Sequence, residues 1–399
     1  MTKNYIQQFR NLPDFYNTVK ADSDSDFAFR TSVECEDSTL YASVFAVMCF
    51  HYCGTLESLP LEEKLRWADY INSYQNDVSG LYESPEIFDG IGEYHTVEHR
   101  SLHLTCHVLP ALSLLGFKPK YEVKYIEKYF NTDYLKAWLS KVDLSMAWVE
   151  GNNLLFIGQL LTYSIKKNGK GYEALDVLFV WLEETVDPAT GLWGTDHGCD
   201  LHKAMYGAYH QLILFFYWRR PVPHIEKLID STLRCQHFDG GFSEWRGGGT
   251  CQDIDGIDIL AKAYFLIDYR RRDVRKAMRG CLHHVFNDRL ASSTGFLDRR
   301  GYSFIHNSMP ATETALQVPN AFSTWFTAHA IVDIAEVLSN DTPLQNIAKN
   351  YNNVCSMGWG GVEHDQVSYG RWEQYRDRLT ILLKVPIIFL YDFLNKVRG

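Results

Sequence analysis

The sequence predicts an all-α fold: an (α/α)6 toroid of six helical hairpins with an extra C-terminal helix. Three observations carry this expectation. Gly/aromatic turns recur along the chain, and the helices between them alternate between apolar on every side and amphipathic. The first helices of successive pairs start about 50 to 65 residues apart, roughly two helices and two loops per repeat. Repetition at such a period means stacked supersecondary units.

The elements follow in order. Residues 1–35 form a lead-in segment without a continuous apolar run over Met1 to Phe27. First helices are expected near Asp37, His99, Asn152, Asp200, Asp253 and Asn320, with bodies such as Tyr41 to Cys53, Leu154 to Ser164 and Ala204 to Trp218. A helix apolar all round is a buried one, so these six form the inner wall. The second helices are amphipathic and belong outside: Leu61 to Tyr74, Tyr125 to Leu139, Tyr172 to Glu184, Ile225 to Cys235, Arg272 to Phe286 and Thr342 to Val354. Turns separate the pairs at Gln75 to Tyr82, near Trp148 (without a glycine), at Asp187 to Trp193, Gln236 to Phe242, Thr294 to Phe296, and Gly358 to Gly361. The terminal helix, residues 372–399 with a break at Pro386, would brace the ring. No Pro/Ser-rich linker divides the 399 residues, so a single domain is expected.

Composition narrows the function classes. A net charge of −10 argues against a nucleic-acid partner, which needs basic surface. Nine cysteines without a C-x-x-C pair read as buried thiols in a reducing cytosol. No apolar run of about 20 residues could span a bilayer. A soluble cytoplasmic protein is expected, and its oligomeric state is left open.

In a closed ring of parallel inner helices, all six N-termini open onto one mouth. Asp and Asn at helix starts are ordinary caps. Jointly, however, the helix dipoles favour negative charge at that mouth, so an anionic group such as phosphate or carboxylate would be drawn there.

The turn Gln236-His237-Phe238-Asp239-Gly240-Gly241-Phe242 resembles the Q-x-x-D-G-G-W/F repeat of the terpenoid cyclase and protein prenyltransferase superfamily. Eleven residues later, Asp253-Ile254-Asp255-Gly256 is similar to the D-x-D-D signature of class II terpenoid cyclases, with Gly256 in place of the third acid and Asp258 three residues beyond Asp255. The resemblance implies a toroid in which Asp255 protonates an alkene or epoxide. Two carboxylates two residues apart could also share a proton, since like charges raise one pKa. Tyr206, Tyr209, Phe322, Trp325 and Phe326 could supply an aromatic wall for a cation. For the prenyltransferase branch, the resemblance implies a zinc site from Asp-x-Cys and a later His. Asp253 matches the first ligand, Asp255 stands where the Cys belongs, and His329 lies beyond the expected His position near Ser323.

Other patterns point to different chemistry. His95, His99, His103 and His107 recur every four residues, which places them along one helix face. The plain expectation is a polar stripe facing the cavity rather than a metal site, although Glu98 or Asp37 could complete one. His202 with Tyr206 could act as base and acid beside a substrate carboxylate, as in polysaccharide lyases on related toroids, with Asn152 and Asn153 holding that carboxylate neutral or hydrogen-bonding sugar hydroxyls. Paired acids of a glycoside hydrolase have no spacing to select them among Glu98, Glu150, Asp196 and Glu244. The basic run Arg270 to Arg279 reads as a solvated face. The apolar end Leu379 to Leu394 could dock peripherally on a membrane.

The leading expectation is therefore proton-initiated cyclisation or isomerisation of an isoprenoid. Asp255 would be the acid, Asp253 its support and Asp258 an orienting group, with His99, Asn152, Asn153, His202, Tyr206, Tyr209, Asn320 and Trp325 binding substrate. No metal is required, and magnesium would enter only with a diphosphate. The alternatives are a lyase, epimerase or hydrolase of an acidic glycan, or a non-catalytic binding scaffold.

Overall fold

The computed structural model describes residues 2–339, apart from Asp24, Ile91 and Ser293, together with Leu344 and Ile347. The expected helix Thr342 to Val354, the turn at Gly358 to Gly361 and the terminal helix 372–399 lie outside the described residues, as does the apolar end Leu379 to Leu394.

The chain begins with two short helices, α1 (Thr2–Arg10) and α2 (Pro13–Thr18), then a small antiparallel pair, β1 (Phe29–Arg30) and β2 (Ser38–Thr39), in which Phe29 faces Thr39. Five complete hairpins follow: α3 (Leu40–Tyr52) with α4 (Leu61–Asn72), α5 (Val97–Leu115) with α6 (Thr132–Leu139), α7 (Ala147–Asn168) with α8 (Tyr172–Thr185), α9 (Leu201–Tyr217) with α10 (Ile225–Cys235), and α11 (Thr250–Leu266) with α12 (Arg271–His284). The last described helix is α13 (Ala321–Val337).

Each of α3, α5, α7, α9, α11 and α13 packs on the next, and α13 returns to pack on α3. The ring is closed: this is an α/α toroid. Burial explains the sorting. The inner α3 buries all but two of its 13 residues, whereas the outer α4 buries only Trp67, Ala68 and Ile71. The lead-in fastens the seam, because Tyr16 Oη donates to the Ala321 carbonyl at 2.9 Å and the Ala321 N–H donates to Thr31 O at 2.8 Å. Close approach of α7 and α9 depends on glycine, since a Cβ on Gly151 would lie 2.6 Å from the Gly207 carbonyl oxygen.

Helix starts differ from expectation at four of six positions. Asp200 and Asn320 do cap α9 and α13, accepting from the Lys203 and Ser323 N–H groups at 3.0 and 2.8 Å. At α3 and α5 a threonine takes the role, whereas α7 and α11 start at Met146 and Gly249 without a side-chain cap. Thr39 caps α3 and Thr96 caps α5, each accepting an N–H at 3.1 Å, so Asp37 precedes its helix and His99 sits within the first turn. Asn152 falls in the second turn of α7, and Asp253 is the fourth residue of α11. The expected outer helix Tyr125 to Leu139 is broken: a 3-10 stretch, Lys124–Phe130, precedes Asn131, which caps α6 through the Asp133 and Tyr134 N–H groups. Pro110 lies inside α5 and cannot donate to the Cys106 carbonyl; Gln159 of α7 supplies that hydrogen bond at 2.8 Å.

The repeated turns do one job. Gln75 Nε2 donates to Gly80 O in its own turn and to Tyr121 O in the next hairpin, and Gln236 Nε2 does the same with Gly240 O and Ala277 O. In three of the turns the aromatic residue then donates its backbone N–H to an inner helix: Tyr82 to Thr105, Phe242 to Asp253, Phe296 to Thr324. The start of the basic run is ion-paired, Arg270 with Asp230 and Asp273 at 2.9 Å and Arg271 with Asp268 at 3.4 Å. No described helix is long and apolar enough to cross a membrane. The eight described cysteines are free thiols.

Candidate active site

A cavity of about 310 Å³ lies inside the ring. Its lining comes from the first three turns of α5, α7, α9, α11 and α13, so several inner-helix N-termini do open towards one space. His99, His103 and His107 of α5 line it, with rings of His103 and His107 4.4 Å apart, while His95, expected on the same helix face, precedes the Thr96 cap and reaches the cavity from the loop. Opposite stand Tyr209 and His210 of α9 and Asp255 of α11; Trp148 and Asn152 of α7 and Phe322 and Phe326 of α13 complete the wall.

The segment between α12 and α13 adds two residues that sequence reasoning missed, His306 and Asn307. Its length was the available signal, since a long irregular connection inside a compact fold is commonly functional. Asn307 and Ser308 both adopt left-handed backbone (φ 46° and 57°), a strain found at binding sites. Arg100, fully buried, locks this segment to the preceding loop: its guanidinium donates to the carbonyls of Ile87, Asp89, Gly90 and Ser308. His103 Nδ1 sits 2.9 Å from Tyr41 Oη and 3.3 Å from Asn307 Nδ2.

Burial without an anionic partner keeps these imidazoles neutral. It takes His99 to about 4, His107 to about 3 and His210 to about 4, and pushes His103 and His306 well below the usual range. His210 Nδ1 lies 2.7 Å from the Tyr206 carbonyl and His107 Nδ1 lies 2.8 Å from the His103 carbonyl. A carbonyl only accepts, so Nδ1 carries the proton in both rings and the lone pair resides on Nε2.

The three aspartates of α11 separate. Asp255 lines the cavity, and burial, then the nearby charge of Asp258, pushes its carboxyl well above the usual value, which favours the neutral acid. Asp253 turns the other way. Its Oδ1 accepts the Phe242 N–H at 2.7 Å, and Oδ2 stands 3.3 Å from His284 Nε2 and 3.5 Å from Arg289 Nε. Burial alone would raise Asp253, but Arg289 and His284 outweigh it and hold the carboxyl below the usual range. The expected shared proton fails on helix geometry, because positions two apart point to opposite sides. Asp258, one turn deeper, is fully buried and ion-paired with Lys262.

Gly256 explains the departure from the D-x-D-D signature. A Cβ there would lie 2.3 Å from Cγ of Phe242, so the ring of the Gly/aromatic turn occupies the place of a third acid. Nor does the prenyltransferase-type zinc set fit. Asp253 is engaged behind the wall, Asp255 replaces the thiolate, and His329 instead joins Asp258 and Asp333, with ligand atoms all within 4.8 Å. The Lys262 ammonium already supplies the countercharge on Asp258 in that group.

Of the expected binding residues, His99, Asn152 and Tyr209 line the cavity. The others lie elsewhere. Asn153 borders an adjoining groove, while His202 Nε2 contacts the Cys235 carbonyl at 3.1 Å. Tyr206 Oη bridges Phe242 O and Glu244 N, so its hydroxyl anchors the turn. Asn320 is a buried cap, and Trp325 is sandwiched between Phe45 and Phe326 at 4.7 and 4.4 Å.

No family model matches the sequence, and no curated protein matches it. The likeness to terpenoid cyclases and prenyltransferases therefore rests on the turn and the aspartate motif alone. A solved structure titled as a polysaccharide lyase overlays this chain with a TM-score of 0.48 at 12% identity, over 86% of this chain and 98% of that one.

Proposed function

We propose that this protein is an enzyme acting on an acidic glycan in the central cavity, by proton transfer beside a uronate carboxylate. One observation carries the reading: neutral imidazoles, a carboxyl pushed well above its usual range, an amide and a phenol surround a single space. Helix N-termini facing that space favour an anion. A neutral Asp255 carboxyl can donate to the substrate carboxylate, as Asn152 Nδ2 can, which makes the adjacent C–H more acidic. The arriving negative charge also raises the imidazole pKa values towards the range of an effective base. His210 Nε2 would take the C5 proton, the electron pair would form the C4=C5 bond, and the C4–O bond would break. Tyr209, whose hydroxyl burial keeps protonated, would give its proton to the leaving oxygen.

A second reading keeps a specific observation behind it. Protonated Asp255 beside Phe322, Phe326 and Trp148 could start an isoprenoid cyclisation, with magnesium entering only alongside a diphosphate. It ranks below the first because five neutral imidazoles would deprotonate or trap a carbocation. Acidic polysaccharides are the test. The protein should generate the ultraviolet absorbance of unsaturated uronate ends, and Asp255→Asn or His210→Ala should reduce the rate by about 100-fold or more. No absorbance with any acidic polysaccharide, together with conversion of an isoprenoid, would reverse the ranking.

A further inference from the structure

Beside the cavity lies a second hollow of about 460 Å³, formed by the starts of α5 and α7 and by residues 124–138 of the second hairpin. The two spaces share Tyr94, His99 and Val149, so they adjoin at the mouth. Tyr134 and Trp138 occupy positions i and i+4 on α6, which puts both rings on one helix face. Each meets Tyr129 edge-on, at 5.3 and 5.6 Å, and Tyr134 is 44% exposed. Between these rings and the mouth stands a polar cluster. Tyr125 Oη donates to Glu98 at 2.7 Å, and the Lys128 ammonium lies 4.1 Å over the Tyr125 ring and 3.9 Å from the same carboxylate.

We propose that this groove is a sugar subsite holding a neutral ring of the same glycan chain whose uronate enters the cavity. The inference rests on the glycan reading above and narrows its substrate class. Aromatic faces stack on the C–H face of a sugar while staying compatible with water at their edges. Glu98 accepts from hydroxyls and Lys128 donates to ring or hydroxyl oxygens, a pairing that suits an uncharged sugar. A second uronate would meet the Glu98 carboxylate and be disfavoured. The fitting substrate therefore alternates uronate with a neutral sugar, and a homopolymer of uronate fits poorly.

Calorimetric titration of the His210→Ala protein, which retains the groove, tests this with three probes. These are a hexasaccharide of alternating glucuronate and N-acetylglucosamine, the corresponding disaccharide, and a galacturonate hexamer. The alternating hexamer should bind more tightly than the galacturonate hexamer. Adding Tyr134→Ala should weaken it about three- to tenfold while leaving the disaccharide unchanged. Equal affinity for both hexamers, indifference to Tyr134→Ala, or no binding of either hexamer would overturn the subsite. Turnover by the unsubstituted protein is a separate readout: Tyr134-dependent binding without unsaturated product would overturn the elimination chemistry and leave the groove standing.

Discussion

Asp253 and Asp255 stand two residues apart on α11, each 1% exposed, yet their carboxyls shift in opposite directions. Behind the ring, Asp253 meets Arg289, His284 and the Phe242 N–H and stays ionised. Inside the ring, Asp255 meets a cavity, with Asp258 below it, and its carboxyl is pushed towards the neutral form. Burial is common to both, so the partners decide the sign. One carboxylate fastens a turn to the wall, and the other is held in a form ready for chemistry.

The sharpest way to break this contrast is to neutralise both positions separately. Asp253→Asn should cost roughly 3–5 kcal/mol, measured by urea unfolding, because Arg289 is left buried without its anion. Asp255→Asn copies the protonated carboxyl and should leave stability within about 1 kcal/mol while activity falls. Equal stability losses would mean that both acids are structural.

The ring itself was legible, and so was the histidine stripe from His99 to His107, because periodicities of 3.6 and four translate directly into faces; His95 falls before the Thr96 cap, outside the helix. The direction of each aspartate was not. The signature resemblance grouped Asp253 with Asp255, although helix geometry places Asp255 with Cys251 and Asp258 and sends Asp253 outward. Similarly, Tyr206 and His202 share a helix with Tyr209 and His210 but lie one and two turns nearer its start, where the Phe242 turn and the end of α10 take them up. His306 reaches the cavity through an irregular segment that no period describes.

The histidine wall offers a test of intermediate size. Its imidazoles titrate lower in the folded chain than the usual 6.5, so folding favours the neutral rings. Their contribution is complete above pH 6.5 and is lost as pH falls from 6.5 towards about 3, where the unfolded chain binds more protons. His107→Gln should reduce the stability lost between pH 7 and pH 4 by on the order of 3 kcal/mol, read from unfolding midpoints at the two pH values. An unchanged pH dependence would mean that the rings are hydrated and ordinary. Bound acidic glycan should narrow the same window, because its charge raises these pKa values.

The smallest expected effect isolates what Asp253 does as an anchor. Thr324 is the fourth residue of α13 as Asp253 is of α11, and it accepts the Phe296 N–H at 3.1 Å where Asp253 accepts that of Phe242 at 2.7 Å. Thr324 has no ion pair behind it, so Thr324→Val removes an acceptor from a buried N–H and nothing more. The loss should be about 1–3 kcal/mol in unfolding free energy. Turnover should be unaffected, since the hydroxyl is turned to the Phe296 turn and does not line the cavity. A loss as large as that of Asp253→Asn would show that the turn anchor, rather than the Arg289 pairing, accounts for the weight of Asp253, and the electrostatic contrast along α11 would then reduce to a difference in hydrogen bonding.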